Sequence, residues 1–227
     1  MIHAIIFDFD GLILETEVPD YLAWRDLYQQ HGHDLTEEAW LPSIGIGPAA
    51  NPFKPFDHLQ GLLEQPLDRA HWTDWRERRM LALVEAEAIR PGVERALTDA
   101  KQMGLKLAVA SSSSRSWVEG HLRRLRLIDY FQCVLCGDDV RLTKPDPELY
   151  LRALECLGVP AAEAFALEDS PNGARAATAA GLFCVVVPNP LTAKATFDRV
   201  DLRLNSLDEL TLVELIARVE KLRLGDV

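Results

Sequence analysis

The sequence contains no apolar run of membrane-spanning length and comparatively little positive charge. Its N-terminal apolar segment is too short for a signal peptide and continues directly into Asp8 and Asp10, so we expect a cytoplasmic protein without a membrane partner. The 24 Lys and Arg residues are outnumbered by 35 Asp and Glu, which leaves a formal net charge of −11. Because such a surface repels nucleic acid, no nucleic-acid partner is expected, and an anionic substrate would need a local cation.

Cysteine is also rare, and the four residues are too scattered to indicate a disulfide framework. Cys133 and Cys136 have the C-x-x-C spacing, but they lie in an apolar, strand-like run in which residues three apart point to opposite faces. No second pair follows that could complete a metal site. We therefore interpret all four as buried small hydrophobic residues: Cys133, Cys136, Cys156 and Cys184.

The pattern of apolar runs predicts an α/β protein. An apolar run at 2–7 opens the chain, and from about residue 90 onward strand-like runs alternate with helical segments. Such βα repeats predict a parallel sheet with right-handed crossovers, to which the N-terminal run should also belong. Further strands are predicted at 105–110, 133–136, 164–167 and 183–187, with helices at 93–103, 115–125 and 147–157 and an alanine-rich helix up to residue 180.

The segment between the first strand and this alternating region reads as helical throughout. Helices are predicted at 21–30, after Thr36, at 57–64 and at 68–88, with a loop rich in proline and glycine at 42–57. We therefore predict an α/β core domain made of residues 1–17 and 89–227, and an all-α domain of residues 18–88 inserted after the first strand. A chain of 227 residues is long enough for one core with a smaller companion lobe.

Two carboxylates stand at the end of the first strand. Asp8 and Asp10 follow the apolar run directly, and strand alternation places them on one side. Crowded carboxylates repel each other unless a cation lies between them, and ligands of open α/β sheets bind at the carboxyl ends of the strands. The motif therefore predicts a Mg²⁺ site, although a solvated turn after a strand is the alternative for this motif alone.

Polar residues that suit a phosphate site follow three later predicted strands. Ser111 comes directly after a strand, where its hydroxyl and nearby N–H groups could hold an anion, or where it could simply cap a helix. Lys144, before Pro145, would supply the local cation that the overall charge withholds. Glu168 and Asp169 end another apolar strand. Each residue alone has an ordinary structural explanation, but their joint appearance at one edge of a sheet indicates a phosphate site.

In this order the residues resemble the four motifs of the haloacid dehalogenase-like (HAD) superfamily. The motifs read Asp8-Phe-Asp10-Gly, Ser111, Lys144-Pro145 and Glu168-Asp169-Ser-Pro-Asn-Gly173, and the likeness runs from residue 1 to about 190. The helical insertion matches the small cap domain of the subgroup that includes β-phosphoglucomutase and sugar-phosphate phosphatases. The resemblance implies a Rossmann-like parallel sheet with an all-α cap.

The resemblance also implies a role for each motif residue. Asp8 would attack phosphorus and form an aspartyl-phosphate, while Asp10 would protonate the leaving oxygen and later take a proton from water. Ser111, with Ser112 beside it, would bind phosphoryl oxygens, and Lys144 would offset negative charge. Mg²⁺ would be held by Asp8, the backbone carbonyl of Asp10 and Asp169. Glu168 would be a further ligand, or it would support these ligands without touching the metal.

Two positions depart from common forms of the family. Glu15 stands where an aspartate is usual before the cap, and Asp20 stands where β-phosphoglucomutases would place a histidine nearby. The second difference favours water over a sugar as the final phosphoryl acceptor, and the presence of Asp10 argues against dehalogenation. We therefore predict a Mg²⁺-dependent phosphatase acting on a small phosphomonoester, with a phosphomutase and a non-catalytic phosphate-binding module as alternatives.

Substrate specificity would lie on the cap. We predict contributions from Asp20, Lys54 and Arg76, although the arginines of this helix could instead form a solvated face that pairs with Glu77 and Glu85. Lys54 belongs to a restricted loop that could line the site or simply connect two helices. The expected partner is a small phosphorylated substrate, and the expected oligomeric state is a monomer.

Overall fold

A parallel sheet with helices on both faces forms the core of the protein. The computed structural model describes residues 1–46, 51–198 and 200–224. Within these residues the sheet has six strands in the order β3-β2-β1-β4-β5-β6, with every neighbouring pair parallel. The strands are β1 (Ala4–Phe7), β2 (Lys106–Ala110), β3 (Cys133–Leu135), β4 (Ala164–Glu168), β5 (Phe183–Val186) and β6 (Leu202–Arg203).

Strand alternation sorts the core into two hydrophobic layers. Ile5 and Phe7 of β1 face a layer built by the helices α5, α6 and α9, whereas Ala4 and Ile6 face a second layer built by α7 and α8. The second face is rich in alanine, which lets its helices pack closely on the sheet. The core helices are α5 (Val93–Gln102), α6 (Arg115–Arg124), α7 (Glu148–Leu157), α8 (Pro171–Ala179) and α9 (Leu212–Arg223).

The α/β fold class predicted from the sequence is confirmed, and five of the strands lie close to their predicted positions. Strand β6 and helix α9 were not predicted from the sequence. Strand β6 has only two residues, which is too short for a recognisable alternation of polar and apolar side chains. In the described residues, no helix combines the length and apolar character required to cross a membrane.

The segment between β1 and α5 is helical, as predicted. It contains α1 (Glu17–Gln30), α2 (Glu37–Trp40), α3 (Pro55–Leu62) and α4 (Arg69–Glu85), and these helices share a hydrophobic cluster centred on Trp24, Leu27 and Tyr28. Helix α1 starts four residues earlier than predicted, with Pro19 in its first turn, where a missing N–H is tolerated. Residues 47–50 of the predicted loop lie outside the described residues. The division into two domains at residues 17/18 and 88/89 stays a prediction.

The interpretation of all four cysteines as buried small hydrophobic residues was wrong for two of them, which form a disulfide, and Cys156 is also exposed. Cys133 of β3 and Cys156 of α7 form a disulfide, with their Cα atoms 6.5 Å apart. The pairing arises because α7 packs across the face of β2 and β3, which brings together two residues that are 23 positions apart in the chain. Cys136 and Cys184 are free and buried, as predicted.

Candidate active site

The carboxyl ends of the central strands bring the four predicted motifs together. Asp8 follows β1, Ser111 follows β2, and Glu168 ends β4, while Lys144 enters from the loop before α7. The ammonium of Lys144 donates to Asp8 Oδ1 at 2.5 Å and to Glu168 Oε1 at 2.6 Å. Lys144 is only 1% exposed, so its charge acts on the two carboxylates with little screening by solvent.

Negative charge exceeds positive charge at this buried point. Burial, followed by the charges of Glu168 and Asp10, raises the pKa of Asp8 to about 7, although Lys144 opposes the shift. Burial and the charges of Asp8 and Glu168 raise the pKa of Asp169 well above its usual range. Burial alone would lower the pKa of Lys144, but the two carboxylates outweigh it and raise that pKa. The cluster is therefore short of positive charge.

Glu168 is fully engaged by hydrogen-bond donors. Its Oε1 accepts from Lys144 and from the Tyr150 hydroxyl at 2.5 Å. Its Oε2 accepts from the backbone N–H of Asp169 and from both the N–H and the hydroxyl of Ser170, at 3.1 to 3.3 Å. Since a carboxylate offers about four lone pairs, these five donors leave little capacity for a metal.

Asp8 and Asp169 are the better placed metal ligands. Together with Glu168 they offer carboxylate oxygens that lie within 4.8 Å of one another, and all three are buried. Asp8 uses one oxygen for Lys144, and Asp169 Oδ2 accepts from Asn189 Nδ2 at 2.6 Å. The other oxygen of each has no hydrogen-bond donor in the described part of the chain. A small cation with oxygen ligands such as Mg²⁺ fits this donor set and its deficit of positive charge.

The turn after Asp10 is shaped to admit Asp169. Gly11 has a φ of +73°, and a Cβ at this position would lie 2.2 Å from Asp169 Oδ2. Arg90 closes the other side of the turn through a hydrogen bond to the Gly11 carbonyl. A larger residue at position 11 would therefore displace the proposed metal ligand as well as strain the backbone.

The carboxyl group of Asp10 lies towards β2 and α6. It accepts hydrogen bonds from the hydroxyls of Thr16, Ser111 and Ser113 and from the indole N–H of Trp117. The structure therefore places Ser111 beside Asp10, on the side of the site opposite Asp169. Ser113 and Trp117 were not predicted from the sequence.

One segment of the cap covers this edge of the sheet. Ser112 Oγ donates to the carbonyl of Gly45 at 3.2 Å, and Asn172 Nδ2 donates to the carbonyl of Ile44 at 2.8 Å. Gly45 has a φ of +77°, and a Cβ there would lie 2.4 Å from Ser170 Oγ. The predicted substrate-binding residue Ser112 thus binds the cap in this structure, and only a glycine allows so close an approach.

The predicted cap residues separate into two groups. Arg76 donates to Asp20 Oδ1 at 2.7 Å and lies over the ring of Trp24, whereas Lys54 is exposed at the start of α3. Burial raises the pKa of Asp20 in spite of the opposing charge of Arg76, and Asp10 contributes to the same shift. The backbone N–H of Asp20 donates to the carbonyl of Thr16, whose hydroxyl donates to Asp10, so Asp20 lies at the end of α1 that adjoins the candidate site.

The alternative partners suggested for the α4 arginines were wrong. Arg76 pairs with Asp20 and Arg79 with Asp26, both on α1, because α1 and α4 pack against each other. Arg78 pairs with Asp74 one turn earlier in its own helix. None of these three ion pairs involves the glutamates at positions 77 and 85.

Some residues of the site carried no recognisable local signal. Tyr150, Ser113 and Trp117 approach the motifs from positions within or just before helices, and nothing in their immediate sequence distinguishes them. Asn189 is different, because it follows β5 just as Asp169 follows β4. The rule that functional residues follow parallel strands could have identified it.

Glu15 begins α1 through its side chain. Its Oε1 accepts from the backbone N–H groups of Glu17 and Val18, both at 3.1 Å. Burial nevertheless raises the pKa of Glu15. Glu15 therefore accepts hydrogen bonds from the first N–H groups of α1, as a helix N-cap residue does.

Comparisons with known proteins agree with this geometry. The model of the haloacid dehalogenase-like hydrolase family matches residues 2–181. A Bacillus subtilis (strain 168) protein named “Putative phosphatase YhcW” is 44% identical over 216 residues, which cover 95% of this chain and 97% of that protein. The phosphorylated carbohydrates phosphatase of Thermotoga maritima is 34% identical over 182 residues, which cover 79% of this chain and 82% of that protein.

Solved structures include a mutant of CbbY from Rhodobacter sphaeroides in complex with xylulose-(1,5)bisphosphate. It matches with a TM-score of 0.71 and 33% identity, covering 92% of this chain and 96% of the CbbY chain. The family model covers most of the chain, and it includes all four motifs that meet at the carboxyl edge of the sheet. The chain therefore belongs to the haloacid dehalogenase-like hydrolase family.

Proposed function

We propose that the protein is a Mg²⁺-dependent phosphatase that hydrolyses a small sugar phosphate through an aspartyl-phosphate intermediate. As an enzyme it is a phosphoric monoester hydrolase, in agreement with its family and with relatives named as phosphatases. The observation that supports the mechanism most directly is the buried contact of Lys144 with Asp8, next to Asp169. This arrangement provides a nucleophile, a fixed positive charge and a site for a divalent cation within one small volume.

Asp8 is the proposed nucleophile. One of its carboxylate oxygens attacks phosphorus, the bond between phosphorus and the sugar oxygen breaks, and the phosphoryl group passes to Asp8. Lys144 keeps the Asp8 carboxylate oriented and offsets charge on the transferring group. Asp10 gives a proton to the departing oxygen and then accepts one from the water that attacks the aspartyl-phosphate.

The proposed metal ligands are Asp8, Asp169 and the backbone carbonyl of Asp10. When bound, Mg²⁺ would offset the negative charge of the phosphoryl group and of the carboxylates around it. Asn189 holds Asp169 in position through a hydrogen bond, and the missing side chain of Gly11 leaves room for the Asp169 carboxyl group. Glu168 supports these ligands without being one of them, because it accepts hydrogen bonds from Lys144 and from the backbone of the turn that carries Asp169.

The proposed substrate class rests on relatives and on the cap. One relative is named as a phosphatase of phosphorylated carbohydrates, and the structure of another holds a sugar bisphosphate. Asp20 and Arg76 form a half-buried polar pair on the cap beside a site that is otherwise acidic. A carboxylate and a guanidinium at this place could hydrogen-bond to sugar hydroxyls, with Lys54 as a more distant contributor.

The first test is phosphate release from a panel of sugar phosphates and other small phosphomonoesters, with Mg²⁺ or EDTA. We expect release that requires Mg²⁺ and that Asp8→Asn abolishes. Asp129→Asn, which alters an exposed aspartate in a short helical turn remote in sequence from the motifs, is the matched control and should keep full activity. Interconversion of sugar phosphate isomers without net release would instead identify a phosphomutase. Binding of Mg²⁺ and phosphate without turnover would indicate a binding module.

A further inference from the structure

The Asp10 carboxylate is surrounded by four hydrogen-bond donors. Oδ1 accepts from Thr16 Oγ1 at 2.9 Å and from Trp117 Nε1 at 2.8 Å. Oδ2 accepts from Ser113 Oγ at 2.7 Å and from Ser111 Oγ at 3.1 Å. The donors come from two parts of the chain, Thr16 before α1 and the stretch 111–117 after β2, and together they occupy about as many positions as a carboxylate has lone pairs.

These four donors are not equivalent. The hydroxyls of Thr16, Ser111 and Ser113 can each rotate and accept a hydrogen bond instead of donating one. The indole N–H of Trp117 can only donate. The carbonyl oxygen of a protonated carboxyl group is a stronger acceptor than its hydroxyl oxygen, so a partner that can only donate to Oδ1 favours the proton on Oδ2, where a rotated serine hydroxyl accepts from it.

Trp117 is held firmly enough to impose this geometry. It lies in the first turn of α6, where its backbone N–H donates to the Ser114 cap. Its ring meets His121 edge to face, with ring centroids 4.3 Å apart, and His121 in turn stacks on Phe9. Phe9 lies between Asp8 and Asp10 in the sequence. Ring contacts therefore run from Trp117 through His121 to the segment that carries both aspartates.

We infer that Trp117 is a positioning residue for Asp10. Its N–H donates to Oδ1, so it fixes the plane of the carboxyl group and leaves Oδ2 as the oxygen better suited to exchange a proton with the substrate. The inference rests on the proposed phosphatase function, in which Asp10 is the general acid. In that step the bond between phosphorus and the leaving oxygen breaks, its electron pair stays on that oxygen, and the oxygen takes the proton from Oδ2. Asp10 is left as a carboxylate that accepts a proton from water in the second step.

The test uses the different need for a proton in two kinds of substrate. A sugar alkoxide is a poor leaving group and requires protonation, whereas p-nitrophenolate leaves without it. For Trp117→Phe we expect kcat/KM to fall about tenfold on the alkyl phosphomonoester that ranks first in the panel above, as for loss of one hydrogen bond to a charged group. On p-nitrophenyl phosphate kcat/KM should change less than about twofold, because phosphoryl transfer to Asp8 does not need the proton.

Two further variants separate the N–H group from the ring. Replacing Trp117 by β-(3-benzothienyl)alanine keeps the size and shape of the ring but removes the donor, and it should reproduce the selective loss even if Trp117→Phe folds poorly. Trp40→Phe is the matched control, because it removes an indole N–H that has no hydrogen-bond partner in the described residues. It should leave the ratio of the two kcat/KM values unchanged.

Asp10→Asn distinguishes failure of this inference from failure of the proposed function. We expect Asp10→Asn to lower kcat/KM, which reports phosphoryl transfer to Asp8, by about 10²-fold or more on the alkyl phosphate and much less on p-nitrophenyl phosphate. If Asp10→Asn shows this selectivity and both Trp117 variants do not, the role of Trp117 is overturned while Asp10 remains the acid. If Asp10→Asn shows no selectivity either, the general-acid role itself is overturned.

Discussion

The ammonium of Lys144 lies 2.5 Å from Asp8 Oδ1, and neither side chain is more than 7% exposed. A lysine in such a place is stable only because carboxylates surround it, since an isolated buried charge is very costly. The same ion pair keeps the Asp8 carboxylate oriented at the end of β1. Stability and chemistry therefore depend on one contact between residues that are 136 positions apart in the chain.

Removing the positive charge at position 144 should damage both properties. Lys144→Met leaves Asp8 and Glu168 buried without their common partner, so we expect a loss of about 3–5 kcal/mol in the free energy of unfolding and no measurable turnover. Lys194→Met is the control, because Lys194 forms an exposed ion pair with Glu37 and should cost about 1 kcal/mol or less. Urea unfolding of both variants tests this, and equal losses would contradict the prediction.

Mg²⁺ should stabilise the protein more at high pH than at low pH. Burial and neighbouring carboxylates raise the pKa of Asp8 from 3.8 to about 7 in the folded chain. Between about pH 4 and pH 7 the folded chain therefore holds a proton that the unfolded chain releases, so the metal-free protein loses stability as the pH rises through that range. Mg²⁺ binds the ionised carboxylates, and its stabilising effect should increase over the same range.

Thermal melts with Mg²⁺ or EDTA at about pH 5.5 and about pH 8 measure this difference. The increase in Tm caused by Mg²⁺ should be clearly larger at the higher pH. In Asp8→Asn the increase should be small at both pH values, because the variant lacks one ligand and the titrating group. An increase of the same size at both pH values in the wild type would show that Asp8 is not protonated in the metal-free protein.

Closure of the cap should depend on Gly45. A Cβ at this position meets Ser170 Oγ, and the left-handed backbone costs a non-glycine residue about 1–2 kcal/mol. We expect Gly45→Ala to weaken the docked position of the segment 43–46 and to lower kcat/KM by about 5-fold to 30-fold, which is the same free energy expressed as a ratio. Steady-state kinetics on the preferred substrate provide the measurement.

Gly61→Ala is the control for Gly45→Ala. Gly61 lies in α3, and a Cβ there would meet nothing within 4 Å. Alanine also favours a helix more than glycine does, so this variant should keep its activity and gain slightly in stability. If both variants lost activity equally, general disturbance of the cap would explain the effect better than the contact with Ser170.

Reduction of the disulfide should lower stability. Cys133 and Cys156 close a loop across 23 positions, and a cross-link of this span stabilises a fold by about 3 kcal/mol through the entropy of the unfolded chain. Urea unfolding with and without a thiol reductant measures the loss. In a double variant with alanine at both positions, the reductant should leave the free energy of unfolding unchanged. If it also left that of the wild-type protein unchanged, the disulfide would be absent in solution.

Much of the candidate site could be predicted from the sequence because each motif follows a strand. Asp8, Ser111 and Asp169 occupy predictable places, since parallel strands end at the same edge of a sheet and their order along the chain limits the choices. Lys144 could be associated with them as the local cation that an anionic substrate needs, but no strand end marks its place, because it lies in the loop before α7. The helical character of the segment between β1 and α5 was recognisable from its periodicity.

The alternation of strands and helices, the parallel sheet and the edge at which the acidic motifs meet are readable from the amino-acid sequence, because they follow from local periodicity and chain connectivity. Which side chains contact one another depends on tertiary packing. It paired Cys133 with Cys156, and it surrounded Glu168 with five hydrogen-bond donors, which leave this carboxylate little capacity for a cation. It also placed Trp117 against Asp10, 107 positions away. Such contacts depend on how whole helices pack on the sheet, and no local pattern in the chain encodes that packing.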